Sequence, residues 1–108
     1  MADSEFAIWQ GDLLPIISTT LLGPGGEPAD LSDAYVYFRL LKDDVLIFED
    51  LAVLNDPDPT MGRVRYEWKP GNTDRHGLFD AQWRGVFDGK SMRFPGNRFN
   101  RIRINRVV

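Results

Sequence analysis

Residues 62–87 read GRVRYEWKPGNTDRHGLFDAQWRGVF, and the spacing of their apolar side chains decides the fold class. Over 62–68, Val64, Tyr66 and Trp68 point one way while Arg63, Arg65 and Glu67 point the other. Over 78–87, Phe79, Ala81, Trp83, Gly85 and Phe87 share one face. Asp80, Gln82 and Arg84 lie opposite, with Leu78 and Val86 at the ends. Successive side chains on a strand point to opposite sides, so a period of two marks one buried face and one wet face. That pattern belongs to an antiparallel sheet packed on one side.

The same period recurs on either side. Residues 14–22 predict a strand with Ile17, Thr19 and Leu21 on one face. Residues 35–41 alternate Val36, Phe38 and Leu40 with Tyr35, Tyr37 and Arg39. A last strand over 101–107 turns Ile102 and Ile104 inward and Arg101, Arg103 and Asn105 outward. Residues 6–9 form a short apolar stretch. Gly23-Pro24-Gly25-Gly26-Glu27-Pro28, Lys42-Asp43-Asp44, Asn55-Asp56-Pro57-Asp58-Pro59 and Pro95-Gly96-Asn97 are turn chemistry. Asp88-Gly89 is a two-residue hairpin signal joining 78–87 to 90–94. Residues 45–54 fit either an amphipathic helix or extended chain, and their Val, Ile and Phe content favours extended chain. Seven or eight short strands with turns every dozen residues or so predict an all-β, antiparallel β-sandwich. No linker divides the chain, so residues 1–108 are read as a single domain.

A chain of 108 residues buries roughly two-thirds of its unfolded surface, enough for a core without covalent staples. With 43% hydrophobic and 12% aromatic residues the composition is that of a globular protein. The absence of cysteine excludes disulfides and thiolate metal sites and fits a reducing cytoplasm. The acidic start Met1-Ala2-Asp3-Ser4-Glu5 is unlike a secretory leader, and the apolar runs fall far short of the roughly 20 residues that cross a bilayer. No targeting segment and no membrane partner are expected.

Charge is unevenly spread. Up to Met61, Arg39 and Lys42 stand against twelve acids, a net of −10. From Gly62 onward eleven Lys and Arg stand against Glu67, Asp74, Asp80 and Asp88, a net of +7. Either the halves interleave and their charges pair across strands, or the domain carries opposed faces suited to stacking.

Chemistry-bearing patterns are sparse. His76 is the one histidine and has no nucleophile signature near it, so it reads as surface. Asp43-Asp44 and Asp56-Pro57-Asp58 lack the six or so converging oxygens of a calcium loop. The glycines at 23–26 lack the Lys-Ser/Thr and the following helix of a phosphate cradle. No catalytic residue, metal, cofactor or small-molecule substrate is expected. Trp68 and Trp83 lie on apolar strand faces and read as core, whereas Trp9 is free to pack under the N-terminal segment or against a neighbour. The arginines at 98, 101, 103 and 106 have no interleaved aromatics to stack bases, and the chain is acidic overall, so no nucleic-acid partner is expected.

The punctuation between strands carries a resemblance. Trp9-Gln10-Gly11-Asp12-Leu13-Leu14-Pro15 opens the chain, and Asp30-Leu31-Ser32-Asp33-Ala34-Tyr35-Val36-Tyr37-Phe38 follows the first turn. Tyr66-Glu67-Trp68-Lys69-Pro70-Gly71-Asn72-Thr73-Asp74 precedes Gly77-Leu78-Phe79-Asp80-Ala81-Gln82-Trp83, with Asp88-Gly89-Lys90 and Phe94-Pro95 near the end. In this order, from about Trp9 to Ile104, the chain resembles a family of phage and prophage virion proteins. It is similar to the immunoglobulin-like N-terminal domain of phage baseplate upper proteins. Asn72 stands where that pattern usually carries Asp, and Phe79 where it carries Tyr.

The resemblance implies an immunoglobulin-like sandwich and a structural role in a tail or baseplate, not an enzyme. The implied partners are other virion proteins and copies of the chain, and the implied location is the virion, after synthesis in the host cytoplasm. Head decoration or completion, or a carbohydrate-binding attachment module, are the competing roles. Trp9, Arg98, Arg101 and Arg103 are the candidate interface residues. Asp74, Gly77 and Phe79 match the corner before the sixth strand of immunoglobulin-like domains, where a Tyr normally bonds back to the backbone. With Phe79 lacking a hydroxyl, that corner rests on packing, on Asp74 or Thr73 bonding the loop, and on a positive φ at Gly77.

Overall fold

The computed structural model describes residues 5–94 and 96–108; Met1–Ser4 of the acidic start and Pro95 of the expected turn lie outside the described residues. Nine strands follow in order: β1 Glu5–Trp9, β2 Ile17–Thr20, β3 Ala34–Lys42, β4 Val45–Leu51, β5 Val53–Leu54, β6 Arg63–Tyr66, β7 Gly77–Phe87, β8 Lys90–Phe94 and β9 Arg101–Asn105. The one helical element among the described residues is a 3-10 turn, Pro59–Met61, whose Thr60 N–H is capped by the Asp58 carboxylate.

One sheet runs β1-β9-β7-β3-β4, with β8 also on β7; the other runs β2-β6-β5. The two sheets form a β-sandwich. Two features depart from the sequence reading. The large sheet is mixed, because β1 lies parallel to β9, with Phe6 beside Ile102 and Ile8 beside Ile104. Two strands that do not adjoin in sequence are free to pair in either direction, and alternation is blind to direction. Residues 45–54 are extended, as their composition favours, but make two strands in different sheets. The switch falls at buried Ala52, whose N–H donates to the Val36 carbonyl at 2.8 Å while the next residue pairs with Arg65 of the other sheet.

The predicted inward residues meet in one core. Ile17, Leu21, Val36, Phe38, Leu40, Val64, Tyr66, Trp68, Phe79, Trp83, Ile102 and Ile104 are all buried. Phe38 of β3 stacks on Tyr66 of β6 with ring centroids 4.8 Å apart, and Trp83 of β7 meets Phe38 edge-on at 4.9 Å. Each sheet thus contributes rings to a single aromatic interlock.

A polar clasp joins the layers beside it. The Tyr66 hydroxyl donates to Asn72 Oδ1 at 2.6 Å and lies 3.2 Å from Asp50 Oδ2 on β4. Asn72 Oδ1 also accepts the Lys69 N–H, and the Lys69 ammonium sits 2.8 Å from Asp50. Lys69 foremost, then the Leu51 N–H, holds the Asp50 carboxyl below the usual aspartate range. Burial, reinforced by the Asp50 charge, pushes the Tyr66 hydroxyl far above the ordinary phenol range.

The charge halves interleave. Asp56–Arg63, Asp50–Lys69, Glu49–Arg84 and Glu5–Arg103 each pair an acid of the first half with a base of the second.

Two outcomes test this architecture. Gly62 follows the 3-10 turn at φ 68°, and a Cβ there would stand 2.7 Å from the Leu21 carbonyl oxygen and 2.9 Å from the Ala29 nitrogen. Gly77 has φ 137°, and a Cβ there would meet only side-chain atoms at ordinary contact distance, the Lys42 ammonium at 3.4 Å and the Phe79 ring at 3.7 Å. Gly62→Ala is therefore expected to cost about 2–4 kcal/mol, from strain plus a backbone clash. Gly77→Val is expected to cost about 1–3 kcal/mol, from strain alone. Urea melts decide, and wild-type stability of the Gly77 variant would remove the corner assignment. The second outcome concerns pH. A carboxyl depressed in the fold adds stability above its unfolded value, about 3.9 for aspartate, and that stability drains as pH falls through the folded value. As pH falls from about 3.9 through that lower value, Asp50→Asn is expected to lose stability less steeply than wild type does. Equal slopes in urea melts across the acid range would count against the clasp.

Candidate docking surfaces

Alternation on β1 and β9 sends Phe6, Ile8, Ile102 and Ile104 into the core and leaves their neighbours outside. Trp9 stands level with Asn105, Ala7 with Arg103 and Glu5 with Arg101. Three of the candidate interface residues, Trp9, Arg101 and Arg103, therefore share the outer face of the large sheet. Trp9 is 56% exposed there. Arg98 does not join them. It lies in the break between β8 and β9, where its carbonyl accepts the Thr19 hydroxyl and its guanidinium sits 4.5 Å from the Phe99 ring centroid. It lines a small polar hollow with Ser18, Thr20, Asn55, Arg63 and Asn97, on the β2 side. A period of two cannot be carried through an irregular segment, so its side was not readable from spacing.

The outer face is a lattice of ion pairs rather than a basic strip. Arg103 grips Glu5, and that bond holds the Glu5 carboxyl below its usual range and the guanidinium above its own. Arg101 reaches Asp80 at 3.8 Å. Farther across, Glu49 takes both Arg84 at 2.7 Å and Arg39 at 3.3 Å. Arg84 also lies 4.9 Å from the Tyr37 ring centroid, and Arg39 donates to Gln82. Trp68 and Trp83 are buried, so the three tryptophans form no exposed platform for sugar rings.

The corner is built differently from the pattern it resembles. Phe79 is buried, with the Lys42 ammonium 5.2 Å from its ring centroid, and the Lys42 ammonium donates to the Leu78 carbonyl. Thr73, not Asp74, supplies the side-chain bond: its buried hydroxyl donates to the Asp12 carbonyl at 2.9 Å. Asp74 contributes its backbone carbonyl, which accepts from Gln10 Nε2 at 2.7 Å. The corner hydroxyl missing at Phe79 has a counterpart in Tyr66 of β6, bonded to Asn72 across the same loop.

These bonds hold up a second surface, the 10–16 loop. Gly11 N–H donates to the Thr73 carbonyl at 3.1 Å, and the Trp68 indole N–H to the Pro15 carbonyl at 3.0 Å. On this fixed loop Leu13, Leu14 and Ile16 are exposed, Leu14 to 72%, close to exposed Trp9 and Val107. His76 lies nearby in a shallow hollow with Lys42, Asp74, Arg75 and Phe79.

A larger concavity lies at the other end of the strands. A groove of about 680 Å³ opens between the 23–30 loop and the β7–β8 hairpin. Pro24, Pro28, Ala29, Phe87, Met92 and Phe94 make its apolar walls, and Glu27, Asp30 and Lys90 stand among the lining residues. Its two walls are some sixty positions apart in the chain, so spacing gave no hint of it. The one local signal is Met92, an apolar side chain on the inward face of a strand yet 47% exposed.

The exposed Glu5–Arg103 pair is expected to show little coupling in a double-mutant cycle, because water and salt screen it. A larger coupling would mean that the outer face is covered by something in solution. No family model matches the chain, and no curated protein matches it either.

Proposed function

We propose that the chain is a bacteriophage virion structural protein, a component of tail or baseplate assembly that works by protein–protein docking. One observation supports a docking role above all others: large apolar side chains stand exposed on a loop pinned by hydrogen bonds to β9, its tail and the 67–76 loop, at the end of the molecule opposite an apolar groove. Exposed apolar patches on a stably folded domain mark interaction sites. A loop already held in place loses little further freedom on binding. The virion assignment is supported by the ordered set of turn motifs from Trp9 to Ile104. The partners proposed are other virion proteins and further copies of the chain.

The test is location. In purified particles from a host producing them, the chain is expected to co-sediment with intact virions and to accept gold-labelled antibody at the tail. Recovery only in the particle-free supernatant would overturn the reading, and label confined to the head would replace tail by head assembly.

A further inference from the structure

We propose that the 10–16 loop of one copy seats in the groove between the 23–30 loop and the β7–β8 hairpin of the next, so that copies stack head to tail. This contact rests on the assembly reading above and specifies its partner surface.

The two surfaces lie at opposite poles. Gly77, at the start of β7, pairs with Ile104, and Trp9 lies level with Asn105 just beyond it. Phe87, at the other end of β7, pairs with Ala34 and Lys90 next to the groove. An eleven-residue strand separates the poles by about 35 Å. One pole is convex, with Leu13, Leu14 and Ile16 raised on a braced loop. The other is concave, with Pro24, Pro28, Met92 and Phe94 lining it. Neither pole can bury its apolar surface within its own copy.

Charges match in the same sense. Lys90 is the one cation lining the groove among the described residues and meets an acid, Asp12, in the incoming loop. Glu27 and Asp30, the groove's two acids, have Arg75 and Arg106 as counterparts, exposed and flanking the loop's anchor points at Asp74 and Val107. Asp43 and Asp44 share that pole but sit on the β3–β4 turn, across β7 from β9 and away from the loop. Because the two faces differ, the contact is heterologous, and repetition gives a ring or a filament according to the rotation per step.

The full chain tests this by sedimentation equilibrium up to about 1 mM, the range of weak association. Leu14→Asp and Met92→Asp alter exposed side chains, and matching melting temperatures show that both variants fold. Each alone is expected to weaken self-association about tenfold or more. An equimolar mixture is expected to form a 1:1 dimer and nothing larger, because one variant keeps the groove and the other the loop. The chain has no cysteine, so Leu14→Cys mixed with Met92→Cys is expected to give a disulfide-linked heterodimer faster than either gives a homodimer. A wild-type chain monomeric throughout, or no dimer in the mixture, would overturn the contact. So would loss of association in the Leu14 variant while the Met92 variant still associates like wild type, which means loops pairing with loops. An apolar dye filling the groove of a purely monomeric chain would also overturn it and make the groove a ligand pocket. Wild-type incorporation of both Asp variants into particles would sink this contact and leave the virion reading standing. Absence of the chain from particles removes the virion reading, while sedimentation still decides the contact.

Discussion

Everything in this molecule is hung on the meeting of Phe38, Trp83, Tyr66 and Trp68 between the two sheets. Phe38 and Trp83 come from the large sheet; Tyr66 ends β6 of the small one, and Trp68 follows it. The rings make one parallel stack and several edge contacts, with centroids 4.8 to 5.7 Å apart. Each such pair adds about 0.5–1.5 kcal/mol beyond the area it buries. The cost is visible at Trp83, whose buried indole N–H finds no acceptor among the described residues. An unmet donor costs about 1–3 kcal/mol. Burying about 200 Å² of indole gains roughly 5 kcal/mol, so packing wins.

That interlock sets what surrounds it. Tyr66 can stack on Phe38 only if its hydroxyl, carried into the core's margin, finds partners, and Asn72 and Asp50 provide them. Asn72 in turn orders the loop leading to Thr73, and Thr73 braces the 10–16 loop through Asp12. Trp68, the fourth ring, holds the same loop through Pro15. The exposed apolar loop is thus fastened to the core by hydrogen bonds from the residues that join the sheets.

Electrostatics shape the surface by cancellation. Acids of the first half and bases of the second end up within reach of one another, and the long outer face carries two such pairs, Glu5–Arg103 and Glu49–Arg84. Exposed pairs of this kind stabilise little. Their consequence is that the sheet face offers neither a strong field nor an apolar patch at Arg101 and Arg103. Apolar surface stands instead at the poles, where the chain leaves and re-enters the sandwich, and along β4 and β5, where Leu46, Leu51 and Val53 are exposed.

The sequence by itself determined which side chains go in. Ile17, Val36, Phe38, Val64, Tyr66, Phe79, Trp83, Ile102 and Ile104 are legible because alternation is a property of one strand and needs no knowledge of its partner. Turn chemistry is equally local, and at Asp88-Gly89 both residues adopt the positive φ that a two-residue hairpin requires. Only the tertiary structure decided the rest: the parallel course of β1, the sheet switch at Ala52, the different side taken by Arg98, and the groove. Each of these depends on which distant segment lies alongside, and neither a strand's period nor a turn's composition carries that information.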